Sequence, residues 1–109
     1  MKSPENVNLL SVIVPLYNEA DNILPLYEKV ADIAPSLGCD LEMILVNDGS
    51  TDDSRAILDA LASRDGRVKV IHFRRNFGQT TAIMAGIDYS SGDVLIPMDG
   101  DLQNDPQDI

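Results

Sequence analysis

Leu41-Glu42-Met43-Ile44-Leu45-Val46-Asn47-Asp48-Gly49-Ser50-Thr51-Asp52 joins an apolar run to a polar turn. The run from Leu41 to Val46 is almost continuously apolar, as in a strand covered on both faces within a parallel sheet. It ends in a polar turn where Gly49 permits a positive φ and Ser50 or Thr51 can cap a following helix. Three further β-type runs recur along the chain, Leu9 to Pro15, Val68 to Phe73 and Val94 to Met98, each bounded by Asn, Asp or Gly. The first and fourth are apolar in the same continuous way, so both are expected to be covered.

Helical patterns fill the gaps. Ile23, Leu26, Tyr27, Val30, Ile33 and Leu37 recur at spacings of three or four, one stripe of an amphipathic helix that Gly38 can end. The second helix is predicted with Asp52 and Asp53 in its first turn and Ile57, Leu58 and Leu61 facing inward. A third runs from near Phe77 through Ile83 and Ile87 to Ser91-Gly92, weakened by Gly78 and Gly86. Strands alternating with helices predict the α/β class: an open, mostly parallel, Rossmann-like sheet with helices on both faces, in which the second and fourth runs flank the first. Such sheets bind ligands beyond the carboxyl ends of their strands, so the residues just after each strand carry the functional information.

Composition narrows the classes. The 109 residues are 44% apolar, enough for one core, and carry a formal net charge of -10 from 18 acidic and 8 basic side chains. That balance excludes a phosphate-tracking nucleic-acid binder and fits an anionic ligand taken with a divalent cation. The lone Cys39 forms no internal disulfide and reads as a packing residue. Met1-Lys2-Ser3-Pro4-Glu5 lacks the apolar run of a signal peptide, which predicts a cytoplasmic chain. The apolar stretches are far shorter than the roughly 20 residues that span a membrane.

Neither G-x-G-x-x-G nor G-x-x-x-x-G-K-[ST] occurs, so the dinucleotide-binding and P-loop readings drop. After the first strand, Pro15-Leu16-Tyr17-Asn18-Glu19 offers a ring to stack on a base or sugar and a carboxylate to accept its donors. The bland alternative is a packed edge tyrosine and an acidic first turn. After the second, Asp48 would project over the sheet edge, while Ser50, Thr51 and Asp52 are explained by capping. After the third, Arg74 and Arg75 precede a helix start; both suit phosphate oxygens, or they offset the acidic edge. After the fourth, Asp99 and Asp101 lie about 7 Å apart on a regular strand and need a bend at Gly100 to share one ion. Mg²⁺ or Mn²⁺ suits such a pair, since these ions take a few carboxylates together with waters and phosphates. His72 reads as a sheet residue, and the four methionines as core filler.

Taken in order, Val14-Pro15-Leu16-Tyr17-Asn18-Glu19, Asn47-Asp48-Gly49-Ser50-Thr51-Asp52, Arg75-Asn76-Phe77-Gly78-Gln79 and Asp99-Gly100-Asp101-Leu102-Gln103 resemble the family 2 glycosyltransferases of the GT-A fold. The resemblance runs from Leu9 to Ile109 and is nearest to the dolichol- and undecaprenyl-phosphate sugar transferases. It implies that Pro15, Tyr17, Glu19, Asp48, Gly78 and Asp99 line the nucleotide site. It also implies that Asp99, Asp101 and Gln103 hold Mg²⁺ or Mn²⁺ on the diphosphate of a UDP- or GDP-linked sugar. The implied reaction is inverting transfer to an acceptor, with a lipid phosphate as one candidate and the full-length enzyme at the cytoplasmic face of a membrane. Acceptor-side residues would then follow Ile109. Residues 1–8 read as a lead and 9–109 as the donor portion, inactive alone and prone to self-association through an open edge.

Two rivals carry weight at this stage. A non-catalytic nucleotide-binding module would use the same donor half without turnover. A flavodoxin-like signalling domain would want a receiver Asp after the third strand, where Arg74 and Arg75 stand.

Overall fold

A computed structural model describes residues 8–98. Four strands, β1 (Leu9–Leu16), β2 (Asp40–Asn47), β3 (Val68–His72) and β4 (Val94–Pro97), form one parallel sheet in the order β3-β2-β1-β4. The expected neighbours of β1 are therefore the observed ones. Three helices, α1 (Ala20–Ile33), α2 (Ser54–Arg64) and α3 (Gln79–Tyr89), connect them.

Alternation along the strands sorts the apolar residues into two layers. Leu10, Val12, Val14 and Leu16 of β1 join Leu41, Met43 and Leu45 of β2 beneath Ile23, Leu26 and Val30 of α1 and Leu58 and Leu61 of α2. Ile13, Ile44 and Val46 face the other way and meet Ala82 of α3. Helices thus cover both faces, as the continuous apolar runs of β1 and β2 require. α3 can lie this close because Gly86 has no side chain: a Cβ there would stand 2.4 Å from Cγ2 of Ile13.

The α3 side also buries a carboxylate. Glu42 is 3% exposed and accepts hydrogen bonds from Lys69 Nζ (2.8 Å), the Ser91 N–H (2.7 Å) and the Ser11 hydroxyl. Burial alone would raise its pKa, but these three donors outweigh it and hold the carboxyl below its ordinary value.

Several expectations are corrected. α1 ends at Ile33, and a 3₁₀ turn over Ala34–Leu37, with Pro35 in it, leads to the left-handed Gly38. Ile33 and Leu37 consequently rotate off the buried stripe and are exposed. α2 starts later than expected, with Asp53 in the N-cap position and no side-chain cap; Ser50 and Thr51 are occupied elsewhere. In α3 the buried positions are Ala82 and Gly86, while Ile87 is exposed. β4 is not covered: Val94, Leu95 and Ile96 are each more than a third exposed. Met84 is exposed too, so core filling describes Met43 but not every methionine. Among the described residues no helix is long and apolar enough to cross a membrane.

Candidate functional site

The carboxyl ends of β1 and β2 and the start of α3 enclose a cleft of about 440 Å³, lined by Pro15, Leu16, Tyr17, Glu19, Asp48, Asn76, Gly78 and Gln79. Five of these, Pro15, Tyr17, Glu19, Asp48 and Gly78, are the described residues that the sequence singled out for a nucleotide. Their convergence follows from the topology: in a parallel sheet the residues after adjacent strands emerge on one edge.

Asp48 organises this edge, though not by projecting over it. It is 3% exposed; Oδ1 accepts the Phe77 N–H (2.7 Å), and Oδ2 accepts the Gly78 N–H (3.0 Å) and Asn76 Nδ2 (3.2 Å). One carboxylate at the cleft wall thereby gathers the loop before α3. Gly49 lets the loop come so near. Its φ is +74°, and a Cβ would lie 2.1 Å from the Arg75 carbonyl carbon and 2.4 Å from the Asn76 nitrogen.

The β1–α1 loop is tied to the β2–α2 turn by Asn18, whose φ of 52° is the left-handed value that Asn tolerates. Its N–H donates to Ser50 Oγ (2.9 Å), and its Oδ1 accepts the N–H groups of Thr51 (2.8 Å) and Asp52 (3.3 Å). Ser50 and Thr51 serve this tether instead of capping α2. Asp52 accepts from the N–H groups of Ser54 (2.9 Å) and Ala20 (3.2 Å); these donors outweigh its burial and lower its pKa. Tyr17, held on this loop, is 46% exposed, so a ring face is open to stacking.

Charge decides what the cleft can take unaided. Among the described residues, its lining holds two carboxylates, Glu19 and Asp48, and no Lys or Arg. The phosphate-side role considered for Arg74 and Arg75 does not place either in the lining. Arg75 lies over the Phe77 ring, 4.8 Å from its centroid, and Phe77 meets Phe73 edge-on at 5.5 Å. The described lining therefore presents negative charge and no counter-charge of its own.

The residues expected to hold a divalent cation, Asp99, Asp101 and Gln103, lie outside the described residues, and so does the nucleotide contact expected of Asp99. Among the described residues no group of three or more His, Cys, Asp or Glu side chains is placed to hold a metal ion. β4 does leave the sheet at the right edge, because the Met98 N–H donates to the Ile13 carbonyl (2.8 Å), two residues before Pro15. Asn76, Gln79 and Leu16 line the cleft without having been singled out. The available signal for the first two was their position as polar side chains around a glycine at a strand-to-helix junction.

Comparison with known proteins agrees with this fold. The undecaprenyl-phosphate 4-deoxy-4-formamido-L-arabinose transferase of Shewanella sediminis is 40% identical over 110 residues, covering 100% of this chain and 33% of the relative. The dodecaprenyl-phosphate galacturonate synthase of Rhizobium johnstonii is 46% identical over 101 residues, covering 92% of this chain and 30% of the relative. The chain thus spans about a third of the length of the curated relatives it matches. Among solved structures, the Pyrobaculum calidifontis mannosyltransferase PcManGT in complex with GDP-Man and Mn²⁺ superposes with a TM-score of 0.75 over 93% of this chain and 30% of its own. At 22% identity that match speaks for the fold. S. aureus TarS in complex with UDP-GlcNAc gives a TM-score of 0.71 at 26% identity, over 84% of this chain and 26% of its own. Residues 11–109 match the family model described as "Glycosyl transferase family 2", and the chain belongs to that family.

Proposed function

We propose that this chain binds the nucleoside diphosphate of an activated sugar, UDP- or GDP-linked, and forms the donor side of an inverting transferase whose acceptor is a polyprenyl phosphate. The observation that carries the reading is the shared cleft of Pro15, Tyr17, Glu19, Asp48 and Gly78. Tyr17 would stack on the base or ribose, Glu19 and a remaining lone pair of Asp48 at the cleft wall would accept donors from them, and Gly78 would let the backbone approach. The acceptor class is supported by the relatives, whose names specify undecaprenyl and dodecaprenyl phosphate.

Asp99, Asp101 and Gln103 would hold Mg²⁺ or Mn²⁺, and their oxygen donors suit these hard cations. Such an ion supplies charge neutralisation on the departing diphosphate. The lining supports this reading, since among the described residues it is acidic and without a basic side chain. A lipid phosphate is already an anionic nucleophile, so transfer to it requires no general base, and no described cleft residue has to serve as one. We place this chemistry on the cytoplasmic side, with the acceptor elements in the portion of the relatives that the chain does not span.

Calorimetry tests the reading. UDP or GDP should bind, more tightly with Mn²⁺ or Mg²⁺, and the combined change Asp99→Asn and Asp101→Asn should abolish the metal effect while leaving weak nucleotide binding. If neither nucleotide binds in the presence of metal, the donor-site assignment is wrong.

A further inference from the structure

The carboxyl edge holds a polar chain that the nucleotide site does not itself require. Asn47 ends β2 and is 3% exposed. Its Oδ1 accepts the Ser50 N–H (2.9 Å), and because a backbone N–H can only donate, this contact fixes which way the amide points. Asn47 Nδ2 is then the atom that faces His72 Nδ1 at 3.0 Å. An amide nitrogen also only donates, so Nδ1 must accept through its lone pair. The ring hydrogen accordingly sits on Nε2, 2.7 Å from Asp59 Oδ1 on α2. A ring protonated at both nitrogens would set two donors against each other at Asn47.

We propose that His72, oriented by Asp59 as the Nε2–H tautomer, is a positioning residue for the cleft. Through Asn47 it holds the turn that carries Asp48. Through Ser50, whose Oγ accepts the Asn18 N–H, the same chain reaches the loop that carries Tyr17 and Glu19. One line of hydrogen bonds thus runs from α2 across β3 and β2 to both walls of the cleft. The expected effect on binding rests on the nucleotide reading above; the tautomer and the order of the turn do not.

His72 is the only histidine, so its nitrogen spectrum is unambiguous. Long-range ¹H–¹⁵N spectra should show the Nε2–H tautomer, and amide exchange should show Ser50 protected. Asn at position 72 offers an oxygen where Nδ1 stands, whereas Gln offers a nitrogen where Nε2 stands and loses the acceptor. His72→Gln should therefore speed Ser50 exchange about tenfold and weaken binding of UDP or GDP with Mn²⁺ by a similar factor, while His72→Asn stays near wild type. Asp59→Ala, on the exposed side of α2, should mix the tautomers and give intermediate exchange. An Nδ1–H tautomer in the wild type, or equal Ser50 exchange in the Gln and Asn variants, would overturn the proposal. Unchanged tautomer and exchange in Asp59→Ala would remove Asp59 from it. If the wild type binds neither nucleotide, the donor-site reading fails, and the spectra and exchange rates still decide the role of His72.

Discussion

Replacing Asp48 should show how much its carboxylate contributes to holding the cleft edge together. Asp48→Ala removes the acceptor of the Phe77 and Gly78 N–H groups and of Asn76 Nδ2 in a site that is almost fully buried. Hydrogen bonds to a charged group contribute about 1.5–3 kcal/mol each, and unpaired buried donors add their desolvation. Part of the loop will relax into water, so the net loss should be about 3–5 kcal/mol, a large fraction of the roughly 5–15 kcal/mol that stabilises a domain. Asp48→Asn keeps one accepting oxygen but turns an amide donor toward the second N–H, and should cost about 2 kcal/mol. Urea unfolding followed by circular dichroism reads both values, with an unchanged m-value showing that the denatured state is not the cause. A loss below about 1 kcal/mol for Asp48→Ala at constant m would refute the assignment of these bonds as the clasp of the α3 loop.

Three other changes probe separate parts of the fold. Gly49→Ala should destabilise by about 3 kcal/mol in the same assay, since it adds a left-handed strain to a Cβ placed 2.1 Å from the Arg75 backbone. Gly86→Ala gains about 1 kcal/mol of helix propensity, yet it should be net destabilising because the methyl overlaps Ile13, which has no exposure and little room to move. The Arg67 fork and the Tyr27 hydroxyl hold the Asp65 carboxyl well below the usual carboxylate range. Its folded pKa is depressed, so its stabilisation is fully present above the unfolded value of about 3.9 and fades as pH falls below it. Acid titration of stability should accordingly be shallower in Asp65→Asn.

The sheet was legible because β1 and β2 are long unbroken apolar runs and because each strand ends in polar residues that topology then gathers on one edge. Tyr17, Glu19 and Asp48 stand out by that position, and the family resemblance adds Pro15 and Gly78. What stayed hidden depends on partners distant in sequence. Nothing near Asp48 announces that its carboxylate will be taken up by N–H groups 29 and 30 residues away. Ser50 and Thr51 look like caps locally, and only the left-handed Asn18, 32 or 33 residues before them, claims them for the tether. Gly86 read as a weak point of a helix, whereas its missing side chain is what lets α3 settle on Ile13 and turns Ile87 outward. Nor does the sequence show that Arg75 lies over the ring of Phe77 and that neither arginine is in the cleft lining.

The central place of β1 also sets a timetable for folding. Leu9 and Asp93, whose backbones hydrogen-bond where β4 joins β1, are 84 residues apart. Chain closure over that distance is entropically slow compared with the nearer pairing of β1 with β2. As the chain emerges from the ribosome, β1, β2, α1 and α2 can associate while one flank of β1, from Leu10 to Ile13, still has bare N–H and C=O groups. Until Val94–Pro97 arrives, that flank is the most adhesive edge the nascent chain presents, and it is where a chaperone or a neighbouring nascent chain would compete with β4.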